Sequence, residues 1–281
     1  MYYSYRAKAV SIYDKLYSFW SSSKTEKNIG SIIVLVYLAD IILIFLNKTG
    51  IFPEKISQLI HLDYFNAINV AFNLLLFFEV VSLVFILPKS FSGSLLKQFE
   101  ILSLILLRHA FDYLKIFEGN IVWDNISADF YHMMSNASAS LLIFGGILII
   151  KRLQLHRDVT KSEEDRQRFI ELKKIVSFIL IIIFSYLLLD EFYLFLTSER
   201  TFNFFKTFYT VLVFADIFMV LLSLRYSQSY IVLFRNSGFA FATVLIRIAL
   251  SSPVYIDAVI GISAVIFTII LTYIYSNYKL C

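Results

Sequence analysis

The chain of 281 residues has one cysteine, three prolines and eight glycines. A lone Cys281 cannot close an intrachain disulfide or supply a cysteine cluster for a metal. At the last position it also misses the fourth-from-end place that a prenylation signal needs. So few prolines and glycines leave little material for the turns of a many-stranded fold. Charge is scarce too: Asp, Glu, Lys and Arg make up 16% of the residues, against about 25% in soluble domains. What fills the gap is apolar, with 59% hydrophobic residues and a mean hydropathy of +0.74. A water-soluble fold of this composition would expose large greasy patches and aggregate. The expected fold class is therefore all-α, a polytopic integral membrane helix bundle.

A helix that crosses a bilayer needs about 20 largely apolar residues. Eight stretches qualify or nearly qualify: 30–46, 65–87, 95–117, 133–153, 175–196, 204–224, 238–252 and 254–275. The third is charged, and the seventh is short unless it begins back near Tyr230. Cytoplasmic loops collect Lys and Arg. With the N-terminus inside and eight spans, and with residues at the rim of a span counted with the loop beside it, eighteen of the 25 basic residues fall inside, four outside and three deeper within spans. That bias needs an even number of spans and both termini cytoplasmic; six spans, with the doubtful two lying in the interface, would weaken it. The expected layout is a leader over 1–29, a first four-helix half over 30–153, a basic cytoplasmic loop over 154–174 and a second four-helix half over 175–281. The first apolar run has no small-x-small cleavage site after it, so it is expected to stay as an anchor. In the leader, Val10, Tyr13, Leu16, Tyr17 and Trp20 recur at helical spacing, as in a helix lying in the headgroup layer. The basic loop is the one strongly polar stretch and reads as a solvated helix or hairpin, with a cytoplasmic protein partner as its candidate binder.

The third stretch holds the sharpest puzzle. QFEILSLILLRHAFDYLKIF, residues 98–117, places Glu100, Arg108, His109, Asp112 and Lys115 among leucines and isoleucines. On a helix, Lys97, Glu100, Arg108, Asp112 and Lys115 share an arc of about 120°. Leu102, Leu106, Ala110, Leu114 and Phe117 cover the other side. The expectation is a two-faced helix whose apolar face can meet lipid and whose charged face meets protein or water. Arg108 and Asp112, four apart, can pair on that face, and Asp112 can pair onward to Lys115. A self-neutralised packing seam, the wall of an aqueous path and a helix lying in the interface are the three readings of this pattern.

Other polar residues interrupt the apolar runs. Asp40 and Asp216 sit mid-way in the first and sixth, within the similar strings VLVYLADIILIFL and VLVFADIFMVLLSL. An inverted-repeat transporter would show this, but the flanking spans do not align at the same offset, which favours chance. Glu79 lies in the second stretch and points to a different side from Asn66, Asn69 and Asn73, whose shared face suits packing glue. Gly238, Ala242 and Ala249 share a face where a neighbour can approach closely, and Gly145–Gly146 either loosens the fourth helix or lets it pack tightly. Arg247 and Asp257 flank the Ser251–Pro253 turn and are expected to pair.

Several chemistries are excluded. The four histidines, His61, His109, His132 and His156, have no paired spacing, so no metal is expected. Glu163-Glu164-x-x-x-Arg168 has the spacing of a membrane-protease motif, but that chemistry needs later histidines and none follows His156. No GxSxG, phosphate loop or dinucleotide fingerprint is present. No cofactor, nucleic acid or enzymatic activity is expected. The candidate site residues are Asp40, Glu79, Arg108, Asp112, Asp216, Arg247 and Asp257, taken as the lining of a polar intramembrane interior. That interior implies passage of an ion, proton or small polar solute. The alternative is a membrane anchor, assembly or signalling subunit that uses its polar seams for helix contacts.

Overall fold

The structure is a computed structural model, and it describes residues 2–51, 64–86, 91–113, 128–154, 163–197, 204–226 and 230–277. All regular elements among these residues are α-helices: α1 Tyr2–Trp20, α2 Ser23–Lys48, α3 Phe65–Ile86, α4 Phe91–Asp112, α5 Ala128–Leu153, α6 Glu163–Thr197, α7 Phe204–Tyr226, α8 Tyr230–Ala249 and α9 Ile256–Asn277. The seventh apolar stretch does begin back at Tyr230, which gives it a full spanning length. Lys115, Leu114 and Phe117, like residues 155–162 of the basic loop, lie outside the described residues.

Among the described residues, five helices are long and apolar enough to cross a membrane: α2, α5, α8, α9 and the Ala67–Ile86 part of α3. They form the helical bundle of a multi-pass membrane protein. Their outward sides carry what a soluble protein would hide: Leu35 is 67% exposed, Leu141 71% and Val259 63%.

α4 is the hub. It packs on α3, α5, α8 and α9. Its apolar face enters the main core, where Leu95, Phe99, Leu102 and Leu106 meet Ile143 and Ile147 of α5, Phe239 and Ile246 of α8, and Val265 and Leu271 of α9. This corrects the expectation that the apolar face of α4 could meet lipid: Leu102, Leu106 and Ala110 are buried in protein. A second core joins Leu76, Val80 and Leu83 of α3 with Leu180 of α6 and Leu212 of α7.

Helix ends follow their local chemistry. α2 starts at Ser22, whose hydroxyl accepts from the Thr25 N–H at 3.2 Å. It stops at Gly50, which takes φ +74° and donates its N–H to the Asn47 carbonyl. Pro253 separates α8 from α9 and accepts the Ile256 and Asp257 N–H groups.

The leader forms a helix and docks. The Tyr13 hydroxyl donates to the Phe85 carbonyl at 2.7 Å, one of the last-turn carbonyls of α3 that lack a helical partner. Trp20 donates to Ser82 at 2.9 Å, and Asp14 pairs with Lys174 of α6 at 2.8 Å. Burial in this aromatic corner pushes the Tyr13 phenol well above its usual range, with Tyr17 and Asp14 adding to the effect.

Candidate functional site

The charged arc of α4 faces α3 and α5, and at its Lys97–Glu100 end the ions are paired between helices. Lys97 bridges Glu79 of α3 and Glu100 of its own helix, the latter at 3.1 Å. Glu100 in turn takes Lys151 of α5 at 3.0 Å. Two acids and two bases therefore form one neutral chain across three helices. Its inner members are largely shielded, with the Lys97 and Glu79 side chains 19% and 24% exposed. Charges with several partners lower the cost that a lone ion would meet in hydrocarbon.

At the other end of α4, the expected Arg108–Asp112 ion pair does not form. Arg108 instead donates to the Asn73 side-chain oxygen of α3. Asp112 lies near His109, which is also within electrostatic range of Asp257. A neighbouring aromatic step holds His132 of α5 between Tyr113, at 5.5 Å, and Tyr255, at 4.8 Å. Tyr255 adopts φ +74°, a conformation that side chains rarely take. The expected Arg247–Asp257 pair is likewise absent. Asp257 is buried and accepts from the Ala258 N–H at 2.7 Å. Arg247 turns away, donating to Ser251 at 3.1 Å and to Thr210 of α7 at 3.4 Å. The two residues flank the Ser251–Pro253 turn, and their side chains meet different neighbours.

Asp216 is an acid enclosed in the bundle core. It is 6% exposed, at the junction of α4, α7 and α8. Gln98 donates its amide to the Asp216 carboxylate at 2.8 Å. The Thr243 hydroxyl lies against both that carboxylate and the Phe239 carbonyl. Among the described residues no basic side chain pairs with Asp216. These groups border a small, partly open chamber of about 10 Å³ that Ser94, Val220 and Phe239 also line. The Ser94 hydroxyl is buried there with no hydrogen-bond partner among the described residues.

Asp40 joins none of these groups. It sits on the side of α2 that also carries buried Ile44 and Asn47, and α2 packs mainly on α3. One of its carboxylate oxygens is enclosed without a hydrogen-bond partner among the described residues. Asp40 and Asp216 thus occupy unlike places, one in a peripheral seam and one in the core, although their sequence surroundings are alike. Of the seven candidates, Glu79 and Asp216 enter polar groupings that reach α4, and Arg108 and Asp112 sit on α4 apart from each other.

Sequence reasoning missed Lys97, Glu100 and Lys151 as site members, and Ser94, Gln98 and Thr243 entirely. A signal was available for two of the last three. Ser94 and Gln98 are four apart and continue the edge of the charged arc on α4. At the start of α6, outside the spanning part, Lys173 is also buried; burial, helped by the Arg235 guanidinium nearby, pulls its ammonium down to about 8. No protein-family model, curated protein or solved structure matches this chain.

Proposed function

We propose that this multi-pass membrane protein passes an ion, proton or small polar solute through a polar interior built around α4, and that it is not an enzyme. The observation that carries this reading is Asp216: a carboxylate 6% exposed in the bundle core, held by an amide and a hydroxyl rather than by a cation. A structural charge in such a place is normally neutralised by a partner, and an acid without one is the usual mark of a transported cation or a proton relay. In this reading eight helices cross the plasma (inner) membrane and both termini are cytoplasmic. The contacts support the arrangement: the Tyr13–Phe85, Lys174–Asp14 and Glu100–Lys151 links gather the ends of α1, α3, α4, α5 and α6 that carry most of the basic residues. Residues 151–174 would then meet a cytoplasmic partner.

Purified protein in liposomes tests this reading. With a pH dye inside and ion gradients imposed, the wild type is expected to give cation or proton flux, and Asp216→Asn to lose at least tenfold of it. Wild-type vesicles as tight as empty ones to protons, sodium, potassium and chloride would overturn the proposal. They would favour the second reading, a non-transporting membrane subunit. The observation on that side is the self-neutralised Glu79–Lys97–Glu100–Lys151 chain, which joins helices without needing a solute.

A further inference from the structure

Four oxygen-bearing side chains from three helices converge on the small chamber: Ser94 and Gln98 from α4, Asp216 from α7 and Thr243 from α8. The chamber, at about 10 Å³, is the size of a single small occupant such as one water. Two features are unexplained by packing. Asp216 brings a carboxylate into the core with no basic partner among the described residues. Ser94 is 3% exposed, lines the same space, and leaves its hydroxyl oxygen without a hydrogen bond among the described residues. Buried hydroxyls are almost always bonded, because an unmade bond costs about 1–3 kcal/mol. A group left open beside an uncompensated acid points to something that binds there.

We infer that this chamber binds one dehydrated monovalent cation of about sodium size, held by Asp216, Ser94, Thr243 and the Gln98 amide oxygen. The amide end of Gln98 can be turned over without changing its shape, which exchanges the nitrogen now facing Asp216 for an oxygen. All four ligands are then hard oxygens, the chemistry that suits such ions. One carboxylate balances one positive charge, so the loaded core is neutral. A calcium ion would want six to eight oxygens, and magnesium would keep several waters; neither has the ligands or the room here. Either would also leave a net charge buried in the core. The inference rests on the proposed transport only for how the ion arrives, since binding can be measured with no gradient at all.

The test is thermal unfolding of the full chain in detergent, in sodium, lithium, potassium or choline chloride at equal ionic strength, with sodium binding followed by calorimetry. A ligand that binds the folded state alone raises its melting temperature, so sodium is expected to stabilise the wild type above choline, and potassium less so. Ser94→Ala is the main variant. Its hydroxyl makes no bond among the described residues, so the variant is expected to fold as the wild type does in choline while its apparent sodium affinity falls at least tenfold. Thr243→Val should act in the same direction, and Ser263→Ala, on the exposed side of α9, should leave the sodium response intact. Equal melting temperatures in all four salts, or an unchanged sodium response in Ser94→Ala, would overturn the inference. Sodium binding without flux would uphold the site and sink the transport reading; flux without sodium binding would do the reverse.

Discussion

Lys97 stands between two carboxylates, so the members of its chain are not equivalent. Removing Glu79 still leaves Lys97 paired with Glu100 at 3.1 Å, whereas removing Lys97 leaves Glu79 without its partner and Glu100 with Lys151 alone. Glu79→Gln is therefore expected to destabilise less than Lys97→Met in denaturant or thermal unfolding. The double variant should be more stable than the sum of the two losses predicts, by roughly 1–2 kcal/mol, within the range that contacting charged residues show. Equal single losses and additive behaviour would mean that the pair contributes no energy. Lys173 makes a different prediction, in pH. Its folded value is about 8, and an unfolded lysine titrates near 10.4. Between those values the unfolded chain holds the extra proton, so stability should rise as pH climbs from about 8 toward 10. The penalty for charging the buried lysine is fully present below about pH 8 and is on the order of 3 kcal/mol. Lys173→Met should be the more stable protein at pH 7 and should lack that slope in melting temperature.

Helix packing turns on small residues at particular turns, and here neighbouring glycines diverge. A Cβ on Gly146 would meet Val265 of α9 at 2.1 Å, whereas one on Gly145 would meet nothing within 4 Å. Gly145→Ala should be tolerated and should gain up to about 1 kcal/mol from helix propensity, while Gly146→Leu should force α5 and α9 apart and lower the melting temperature by many degrees. Gly146 therefore serves close approach, and the same holds for Gly238 against Leu271. Such features were partly legible in the sequence. The apolar runs announced the helices, and the arc of charges announced that α4 is two-sided, because both depend only on spacing along one chain. The neighbours were not legible. Periodicity gives the face on which Arg108 lies but not that Asn73 of α3 waits there, so the i, i+4 pairing with Asp112 lost to a contact between helices. For the same reason the apolar face of α4, expected to be able to meet lipid, proves to be packed in protein against α5, α8 and α9. Docking of the leader was hidden as well, since its aromatic stripe would serve a membrane surface equally. Tyr13→Phe separates the two: loss of the bond to the Phe85 carbonyl should cost about 1 kcal/mol, and a helix merely resting on headgroups would show no change.

At the scale of the whole molecule, the contacts of α1, α3, α4, α5 and α6 collect basic residues at one end of the bundle without reference to any membrane. Lys97, Lys151 and Lys174 all enter ion pairs there. Lys48, at the far end of α2, instead lies over the Tyr64 ring at 4.0 Å. Charge counting along the sequence and contacts in space are independent arguments, because one uses loop composition and the other helix adjacency. Both assign these two sets of lysines to opposite ends. If the lysine-rich end is cytoplasmic, a residue just past α2 faces outward and one at the end of α5 faces inward. Ile51, 64% exposed, and Arg152, also exposed, are suitable reporters. In a Cys281→Ala background, Ile51→Cys should react with a membrane-impermeant maleimide on intact spheroplasts, and Arg152→Cys should react only after lysis. Reversed labelling would invert the assignment, and labelling of both sites on intact cells would mean that an even number of crossings separates the two positions, so that α3, α4 and α5 could not all traverse the bilayer.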